Sequence, residues 1–298
     1  MINLILKFIK NKIIIPLLND PQIRNSIQHK IIIPFLDDPQ TRDSIQHKII
    51  IPLLLHQQIR DNIWHITNTQ PSDDLNLVYL AGNIQKKLYE IATEKSAALI
   101  FNKYPMATPF LDSKSLLEHC IKKSLEINKK GLYAEFGVFS GRTINIIANL
   151  IKKYDLKIHG FDSFEGLPED WNSTAKKSLF NMNGLLPKIE GNVVLHKGWF
   201  IDTIPEFMND NKETVSFLHI DSDLYSSART ILNNFKDRIQ AGTIILFDEF
   251  FNYPTFEDHE KKAFDEFLAD TGSSCQCLGY DSNGFSVAFI VEEANRII

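Results

Sequence analysis

The sequence predicts an α/β protein whose core is a doubly wound, mostly parallel sheet. From about residue 76 onward, short apolar runs alternate with amphipathic helical segments. Strands that alternate with helices form parallel sheets with helices on both faces. The last two apolar runs, "SCQCLGYD" and "GFSVAFIVE", have no helix between them. This pair therefore requires an antiparallel strand at or near one edge of the sheet.

The elements of this body follow in order from the apolar pattern. Two helical segments come first, "NIQKKLYEIATEKSAALIFNKY" and "DSKSLLEHCIKKSLEINKK". Five strands are predicted next, at "GLYAEFGV", "KIHGFD", "NVVLHKG", "VSFLHID" and "GTIILFDEF", before the closing pair. Helices are predicted after the first, third, fourth and fifth of these strands. Sheets of this kind bind ligands beyond the carboxyl ends of their strands, so the candidate residues are sought there.

A tandem repeat precedes this body. Residues 12–29 read "KIIIPLLNDPQIRNSIQH", residues 30–47 read "KIIIPFLDDPQTRDSIQH", and residues 48–65 hold a looser third copy with the same 18-residue period. In the first two copies, Asp-Pro is a helix N-cap followed by proline at the first helical position. Short helices that cannot bury their isoleucines alone are typical of repeats that bury them against neighbours. Two interpretations stay open: an oligomerisation surface that makes the protein a homo-oligomer, or a recent duplication in a dispensable extension.

These patterns predict three regions in the chain. The N-terminal extension with its helical repeats covers 1–65, and a polar, proline-containing linker covers 66–75. The α/β domain covers 76–298.

Composition excludes several functional classes. The chain has 298 residues, of which 44% are hydrophobic, which suits one large globular domain with an appendage. Its net charge of −5 gives no basic surface for nucleic acid, and three cysteines argue against a secreted, disulfide-stapled protein. The N-terminal "MINLILKFIKNK" lacks a cleavage site and is too short to span a bilayer. We therefore expect a cytoplasmic protein, with surface attachment by this amphipathic stretch as the alternative.

A glycine-containing turn follows the first predicted strand, in "EFGVFSG" from Glu135 to Gly141. Glycines at Gly137 and Gly141 let the backbone approach a ligand closely, although the spacing matches neither a GxGxxG nor a Walker motif. Asp162 ends the second strand, where an acid can accept hydrogen bonds from ribose hydroxyls. The combination predicts a nucleoside-bearing ligand, with a tight turn and a helix-capping acid as the alternative. The aromatic pair in "KGWF" after the third strand fits base stacking and core packing equally well.

Acidic residues follow the fourth and fifth predicted strands. Asp221 ends "VSFLHID", and Asp248 and Glu249 end "GTIILFDEF". Neighbouring parallel strands bring these carboxylates to one edge of the sheet, where like charges repel unless a cation neutralises them. An all-oxygen cluster suits Mg²⁺, which retains waters and leaves positions for substrate oxygens. The alternative is that Asp221 caps the following helix while Glu249 is solvated.

Taken in this order, five motifs resemble the class I S-adenosylmethionine-dependent methyltransferases, and more narrowly the macrocin O-methyltransferase family. They are "AEFGVFSGRT", "GFDSFEGLPEDW", "GWFIDTIP", "LHIDSDLYSSA" and "ILFDEF", within roughly residues 105 to 291. The resemblance implies a Rossmann-like, seven-stranded sheet. It also implies transfer of a methyl group from S-adenosylmethionine to a hydroxyl of a sugar or another natural-product small molecule.

The resemblance also assigns roles to particular residues of this chain. The methionine part of the cofactor would lie against the turn, the ribose on Asp162, and the adenine beside Phe200 and Ile201. The implied cofactor contacts are Glu135, Gly137, Val138, Phe139, Ser140, Gly141, Asp162, Ser163, Phe200 and Ile201. The implied Mg²⁺ ligands are Asp221, Asp248 and Glu249, and Asp221 is also the implied general base. Glu249 stands where the family more often has Asp.

The implied chemistry agrees with elementary physical arguments. A hydroxyl coordinated to a cation has a lowered pKa, and a nearby carboxylate can take its proton. Asp223, two positions after Asp221, is the second candidate for the base. Two other functions remain open: a methyltransferase that transfers to nitrogen or oxygen without a metal, and a non-catalytic methyltransferase-like assembly module.

Overall fold

We analysed a computed structural model of the protein, which describes residues 73–171, 177 and 179–294. The chain divides into two units, residues 1–82 and 83–298. The extension predicted at 1–65 lies outside the described residues, as does the linker predicted at 66–75 up to residue 72. The fold below is given for the described residues, whose first helix begins at Asp73 and continues into the second unit.

The described residues form an α/β fold with six α-helices and eight strands. The helices are α1 (Asp73–Lys103), α2 (Ser113–Ile127), α3 (Arg142–Ile151), α4 (Phe200–Asp210), α5 (Tyr225–Phe235) and α6 (Glu260–Thr271). The strands are β1 (Thr108–Phe110), β2 (Leu132–Phe136), β3 (Ile158–Asp162), β4 (Val193–Lys197), β5 (Val215–Ile220), β6 (Ile244–Phe247), β7 (Ser274–Asp281) and β8 (Val287–Glu293).

The strands form one sheet in the order β1-β7-β8-β6-β5-β2-β3-β4. The predicted α/β class and both leading helices are confirmed, but the expected count of seven strands was one too low. The additional strand is β1, which pairs in parallel with β7 along only three positions. Pro109 at its centre has no N–H to donate, which confines such a segment to an edge. A three-residue strand of this kind has no apolar period to reveal it.

One strand of the sheet runs against the others. β8 is antiparallel to both of its neighbours, β6 and β7, whereas the other strand pairs are parallel. The closing strand pair thus places its antiparallel strand near one edge, as predicted. The parallel strands β6, β5, β2 and β3 consequently direct their carboxyl ends to the same side of the sheet.

Helices cover both faces of the sheet because its side chains alternate between two cores. Phe136 and Leu218 point to the face covered by α4, α5 and α6, whereas Tyr133 and Phe217 point to the face covered by α2 and α3. The helices contribute apolar stripes with a helical period, such as Ile144, Ile147, Ala148 and Ile151 on α3. Both faces of the central strands are therefore dry, and a polar side chain within them needs a specific partner.

Capping residues mark where two of these helices begin or end. Asp112 caps α2 by accepting the N–H of Ser115 at 2.7 Å. Gly272 ends α6 in the left-handed conformation. In the described part of the chain, no helix combines the length and apolarity that crossing a membrane requires.

Candidate active site

The turn between β2 and α3 passes close to the loop that follows β5. Gly137 has φ +95°, and a Cβ built on it would lie 1.7 Å from the carbonyl oxygen of Asp221. The N–H of Asp221 donates to the carbonyl of Phe136 at 2.9 Å. Glycine at this position is therefore required both by its backbone angle and by the approach of a second loop. The predicted cofactor turn and the first predicted metal ligand are neighbours.

The predicted ribose ligand, Asp162, lies at the end of β3 beside the same turn. Its two carboxylate oxygens accept the N–H of Phe139 at 2.7 Å and the N–H of Phe164 at 2.6 Å. A carboxylate has about four acceptor positions, so capacity for ribose hydroxyls remains. The adjacent Ser163 is buried, and its hydroxyl is engaged locally with Glu165 and Gly166.

The remaining predicted cofactor contacts differ in what they can present to a ligand. Val138 is 4% exposed and packs in the core, so only its backbone can face the site. Phe139 is exposed and contacts the ring of Phe180 edge-on, with the centroids 5.4 Å apart. At the start of α4, Phe200 packs edge-on against a core aromatic, and Ile201 is 69% exposed. The turn thus offers mainly backbone groups to a ligand, whereas Phe139 and Ile201 offer exposed apolar side chains.

Three predicted metal ligands converge at the ends of β5 and β6. One carboxylate oxygen from each of Asp221, Asp248 and Glu249 lies within 4.8 Å of the others. Ser286, the residue before β8, donates its hydroxyl to Asp248 Oδ1 at 2.9 Å. Glu249 Oε2 is shielded from solvent and has no hydrogen-bond partner. The sequence prediction that these acids meet is confirmed, and one of their oxygens is left for a ligand.

Electrostatic repulsion within this cluster is severe. Burial and then the charge of Asp248 raise the pKa of Asp221 well above its ordinary value. The same two causes raise the pKa of Glu249 well above the ordinary range, and that of Asp223 to about 7. Each of these groups is held in a place where its charged form is disfavoured. A divalent cation is the ligand that would reverse this, because it favours the ionised form of every carboxylate around it.

Glu260 supports the cluster from the first position of α6, and no sequence motif predicted this role. Its Oε1 accepts the N–H of Ser222 at 3.1 Å, and its Oε2 accepts the N–H of Glu249 at 3.2 Å. One fully buried carboxylate therefore ties together the loops that follow β5 and β6. Burial is the main cause that raises its pKa to about 8. Only the position of α6 in the folded chain brings this residue to those loops.

An aromatic wall of Trp171, Tyr253, His259 and Phe285 stands beside the acids. Tyr253 contacts the other three, with ring centroids 5.8, 6.2 and 5.7 Å away respectively. Its hydroxyl donates to the carbonyl of Glu249 at 3.1 Å. Phe285 is 37% exposed, whereas Tyr253 is buried. These residues come from three separate loops, so their meeting could not be predicted from spacing.

The segment that leads to Trp171 is fixed to the same part of the molecule. Glu169 accepts the hydroxyl of Ser226 in the first turn of α5 at 2.6 Å. The indole N–H of Trp171 is buried without a hydrogen-bond partner. The loop after β3 therefore reaches across to the helix that begins just after Asp221.

Glu135 and His219 form a buried pair on the central strands β2 and β5. The Nδ1 of His219 is 2.9 Å from Glu135 Oε2. Burial alone would lower the pKa of His219, but the hydrogen bond to Glu135 and its charge raise it. Burial is the main cause that raises the pKa of Glu135, and its Oε1 has no hydrogen-bond partner. Glu135 was predicted from the sequence, whereas His219 was hidden within an apolar strand.

The residues present fit the groups that the sequence implied. A turn that excludes side chains at Gly137 and an acid at the next strand end suit a nucleoside ligand. Converging carboxylates with raised pKa values and an unpaired oxygen suit a hard divalent cation.

Comparisons with known proteins agree with this fold. Residues 134–250 match a family described as Methyltransferase domain. A demethyldecarbamoylnovobiocin O-methyltransferase from Streptomyces niveus is 24% identical over 189 residues, which cover 56% of this chain and 70% of the relative. A Streptomyces olivaceus 8-demethyl-8-(2,3-dimethoxy-alpha-L-rhamnosyl)-tetracenomycin-C 4'-O-methyltransferase is 25% identical over 204 residues, covering 59% and 75% respectively.

A solved structure shares the fold. The O-methyltransferase NovP superposes with a TM-score of 0.50 at 20% identity, over 60% of this chain and 79% of that one. The matched domain lies between β2 and the loop after β6, and it contains the turn and the acidic cluster. The fold is that of class I methyltransferases, and over the matched domain the chain is similar to S-adenosylmethionine-dependent O-methyltransferases.

Proposed function

We propose that this enzyme is Mg²⁺-dependent and methylates a hydroxyl of a sugar or glycosylated natural product. The observation that carries the proposal is the convergence of Asp221, Asp248 and Glu249 beside the cofactor turn. These three residues would hold the cation. A bound cation would relieve the repulsion that raises the pKa of Asp221 and Glu249.

The cofactor would bind across the carboxyl ends of β2 and β3. Glu135 and the backbone of Gly137–Gly141 would hold the methionine part, and Asp162 with Ser163 the ribose. Phe200 and the exposed Ile201 would flank the adenine. S-adenosylmethionine supplies the methyl group, and a bound divalent cation lowers the pKa of a hydroxyl that coordinates it.

The chain's own contribution is to orient the acceptor and to take its proton. Asp221 lies between the turn and the other acids, so its carboxylate can accept the proton of the hydroxyl as the methyl group moves to oxygen. The products are a methyl ether, S-adenosylhomocysteine and a protonated base. Glu260 fixes the loops on which Asp221 and Glu249 lie, and this keeps the reacting groups in line.

The aromatic wall supports a sugar as the acceptor. The C–H face of a pyranose ring is apolar and packs well against aromatic rings. Trp171 and Phe285 offer such surfaces next to Glu249, and one curated relative is named for methylation of a rhamnosyl group. We therefore propose that the ring of the acceptor lies against this wall with its hydroxyl toward Asp221.

Removal of the metal tests the proposal directly. With methyl α-L-rhamnopyranoside as acceptor and radiolabelled S-adenosylmethionine, EDTA should abolish transfer and added Mg²⁺ should restore it. Activity that survives chelation would favour a metal-independent methyltransferase instead. Failure to bind S-adenosylmethionine in calorimetry would favour a non-catalytic module.

Replacement of Asp221 tests its assignment as base and ligand. Asp221→Ala should lower kcat by about a thousandfold or more, because both the proton acceptor and a metal ligand are lost. Cofactor affinity should stay within a fewfold of the wild type in calorimetry, because the turn is unchanged. Turnover that survives this substitution would contradict both roles and favour Asp223 as the base.

The proposal also covers the oligomeric state of the protein and its cellular compartment. We propose a cytoplasmic homo-oligomer whose subunits associate through the isoleucine-rich repeats at 12–65. Sedimentation equilibrium of the full chain tests the association, and a monomer at micromolar concentration would contradict it.

A further inference from the structure

His219, the buried partner of Glu135, has no role yet in the proposed function. The two residues are register partners on the adjacent central strands β2 and β5. Their side chains are 0% and 2% exposed, and a single contact of 2.9 Å joins them. A buried ionic pair contributes little to stability compared with apolar residues of similar volume. Packing alone therefore gives no reason for this pair to occupy the dry interior of the sheet.

The two carboxylate oxygens of Glu135 are not equivalent. Oε2 accepts from the imidazole Nδ1, whereas Oε1 is buried without any hydrogen-bond partner. An unpaired buried carboxylate oxygen is costly, and it marks a position that a ligand donor can fill. The imidazole contact fixes which of the two oxygens is left free.

A cavity next to this pair has charges of both signs. His219 and Asp248 line it from the sheet, and the first turns of α2 and α3 line it from above. Those turns contribute Lys114 and Arg142, which are cationic. Asp248 is the carboxylate of this lining, so a zwitterion, which has one charge of each sign, is a ligand class that suits the cavity. The methionine end of S-adenosylmethionine is such a group.

We propose that His219 is a positioning residue, which holds Glu135 Oε2 so that Oε1 accepts the α-ammonium group of the cofactor. The carboxylate of the same cofactor end would then face Lys114 and Arg142. His219 itself does not touch the reacting atoms. This inference depends on cofactor use and not on the proposed metal or acceptor.

Two adenosine ligands separate this role from a structural one. S-adenosylhomocysteine has the amino-acid end, whereas 5′-methylthioadenosine lacks it and keeps the adenosine and sulfur. Calorimetry should show that His219→Leu weakens S-adenosylhomocysteine about 10- to 100-fold, the range for hydrogen bonds to charged groups. Binding of 5′-methylthioadenosine should be unchanged.

A conservative variant provides the matched control. The side-chain amide of Asn can place its N–H near the position of the imidazole Nδ1, so His219→Asn should retain S-adenosylhomocysteine affinity within about threefold. In a Glu135→Gln background, His219→Leu should cause no further loss, because the carboxylate that would bind the ammonium group is already gone.

Three outcomes would overturn the proposal. The first is equal weakening of both ligands by His219→Leu, which would indicate a general effect on the fold. The second is unchanged S-adenosylhomocysteine affinity in that variant. The third is a wild-type protein that binds the two ligands equally, since the charged end would then contribute nothing. Each is distinct from a failure of the metal proposal, which chelation tests separately.

Discussion

Gly137 controls the distance between two loops that must work together. Its φ of +95° lies in a region that L-residues rarely adopt, and its α-carbon faces the carbonyl oxygen of Asp221. The turn and the acid-bearing loop can therefore touch through their backbones. A side chain of any size at this position would force them apart.

Replacement of this glycine should damage both folding and binding. We expect Gly137→Ala to lower the free energy of unfolding by roughly 3 kcal/mol, because strain and a backbone clash combine. Denaturant unfolding measures this, and calorimetry should show weaker S-adenosylhomocysteine binding. Gly191→Ala is the matched control, since a Cβ there meets nothing within 4 Å. Equal effects of the two substitutions would contradict the assigned close approach.

Trp171 is the residue of the aromatic wall whose role is most open to direct measurement. We expect Trp171→Ala to raise KM for methyl α-L-rhamnopyranoside about tenfold with kcat little changed, because only acceptor packing is lost. Phe101→Ala on α1 removes a 78% exposed ring and should leave KM unchanged. A fall in kcat at unchanged KM would place Trp171 outside the acceptor site.

At the scale of elements, α6 determines how the loops after β5 and β6 are held. Glu260 accepts one backbone N–H from the loop after β5 and one from the loop after β6. The helix α6 therefore holds the two loops together, and the distance between Asp221 and Glu249 depends on where this helix packs.

Removal of the Glu260 side chain should weaken Mg²⁺ binding at the proposed metal site. Glu260→Ala leaves two buried N–H groups unpaired, and each costs about 1–3 kcal/mol of stability. Isothermal titration with Mg²⁺ should show about tenfold weaker binding, a loss typical of ligand-supporting residues. Glu257→Ala, three residues earlier, removes only an exposed ion pair with Lys95 and should change neither quantity. Unchanged Mg²⁺ affinity in Glu260→Ala would show that the acids are positioned without it.

The sequence predicted the parts of the site that topology places at strand ends. Asp162, Asp221 and Asp248 each end a predicted strand, Glu249 follows Asp248 directly, and parallel strands bring such ends together. Contacts between distant segments carry no such signal. The partner of Glu135 lies 84 positions away inside an apolar strand, and Ser286 reaches Asp248 across 38 positions. Those pairings follow from strand order and register, which local patterns do not encode.

The acidic cluster makes the stability of the whole molecule depend on pH. Carboxyl groups in the unfolded chain ionise near pH 4, whereas burial raises the pKa of Asp223 to about 7 and of Glu260 to about 8. At a pH between the pKa of these carboxyl groups in the unfolded chain and their higher pKa in the native state, the native state binds more protons than the unfolded state. By linkage, the free energy of unfolding of the metal-free protein should fall as the pH rises through this window.

Mg²⁺ should restore the stability that the metal-free protein loses as the pH rises. Since a cation binds the ionised carboxylates of the native state, it should raise Tm more at pH 8 than at pH 5.5. Thermal unfolding in EDTA and in MgCl₂ across this range measures both effects. Stability that rises with pH in EDTA, or a Mg²⁺ effect independent of pH, would contradict the assigned electrostatics.

The backbone contact between the cofactor turn and Asp221 has a kinetic consequence. Asp221 donates its N–H to the carbonyl of Phe136, and its own carbonyl faces Gly137. Ordering of the turn therefore also orders the loop at which we propose the acceptor hydroxyl binds. The binding free energies of the two substrates are then coupled, and this coupling is reciprocal. In steady-state kinetics, the apparent KM for each substrate should therefore fall as the concentration of the other substrate rises.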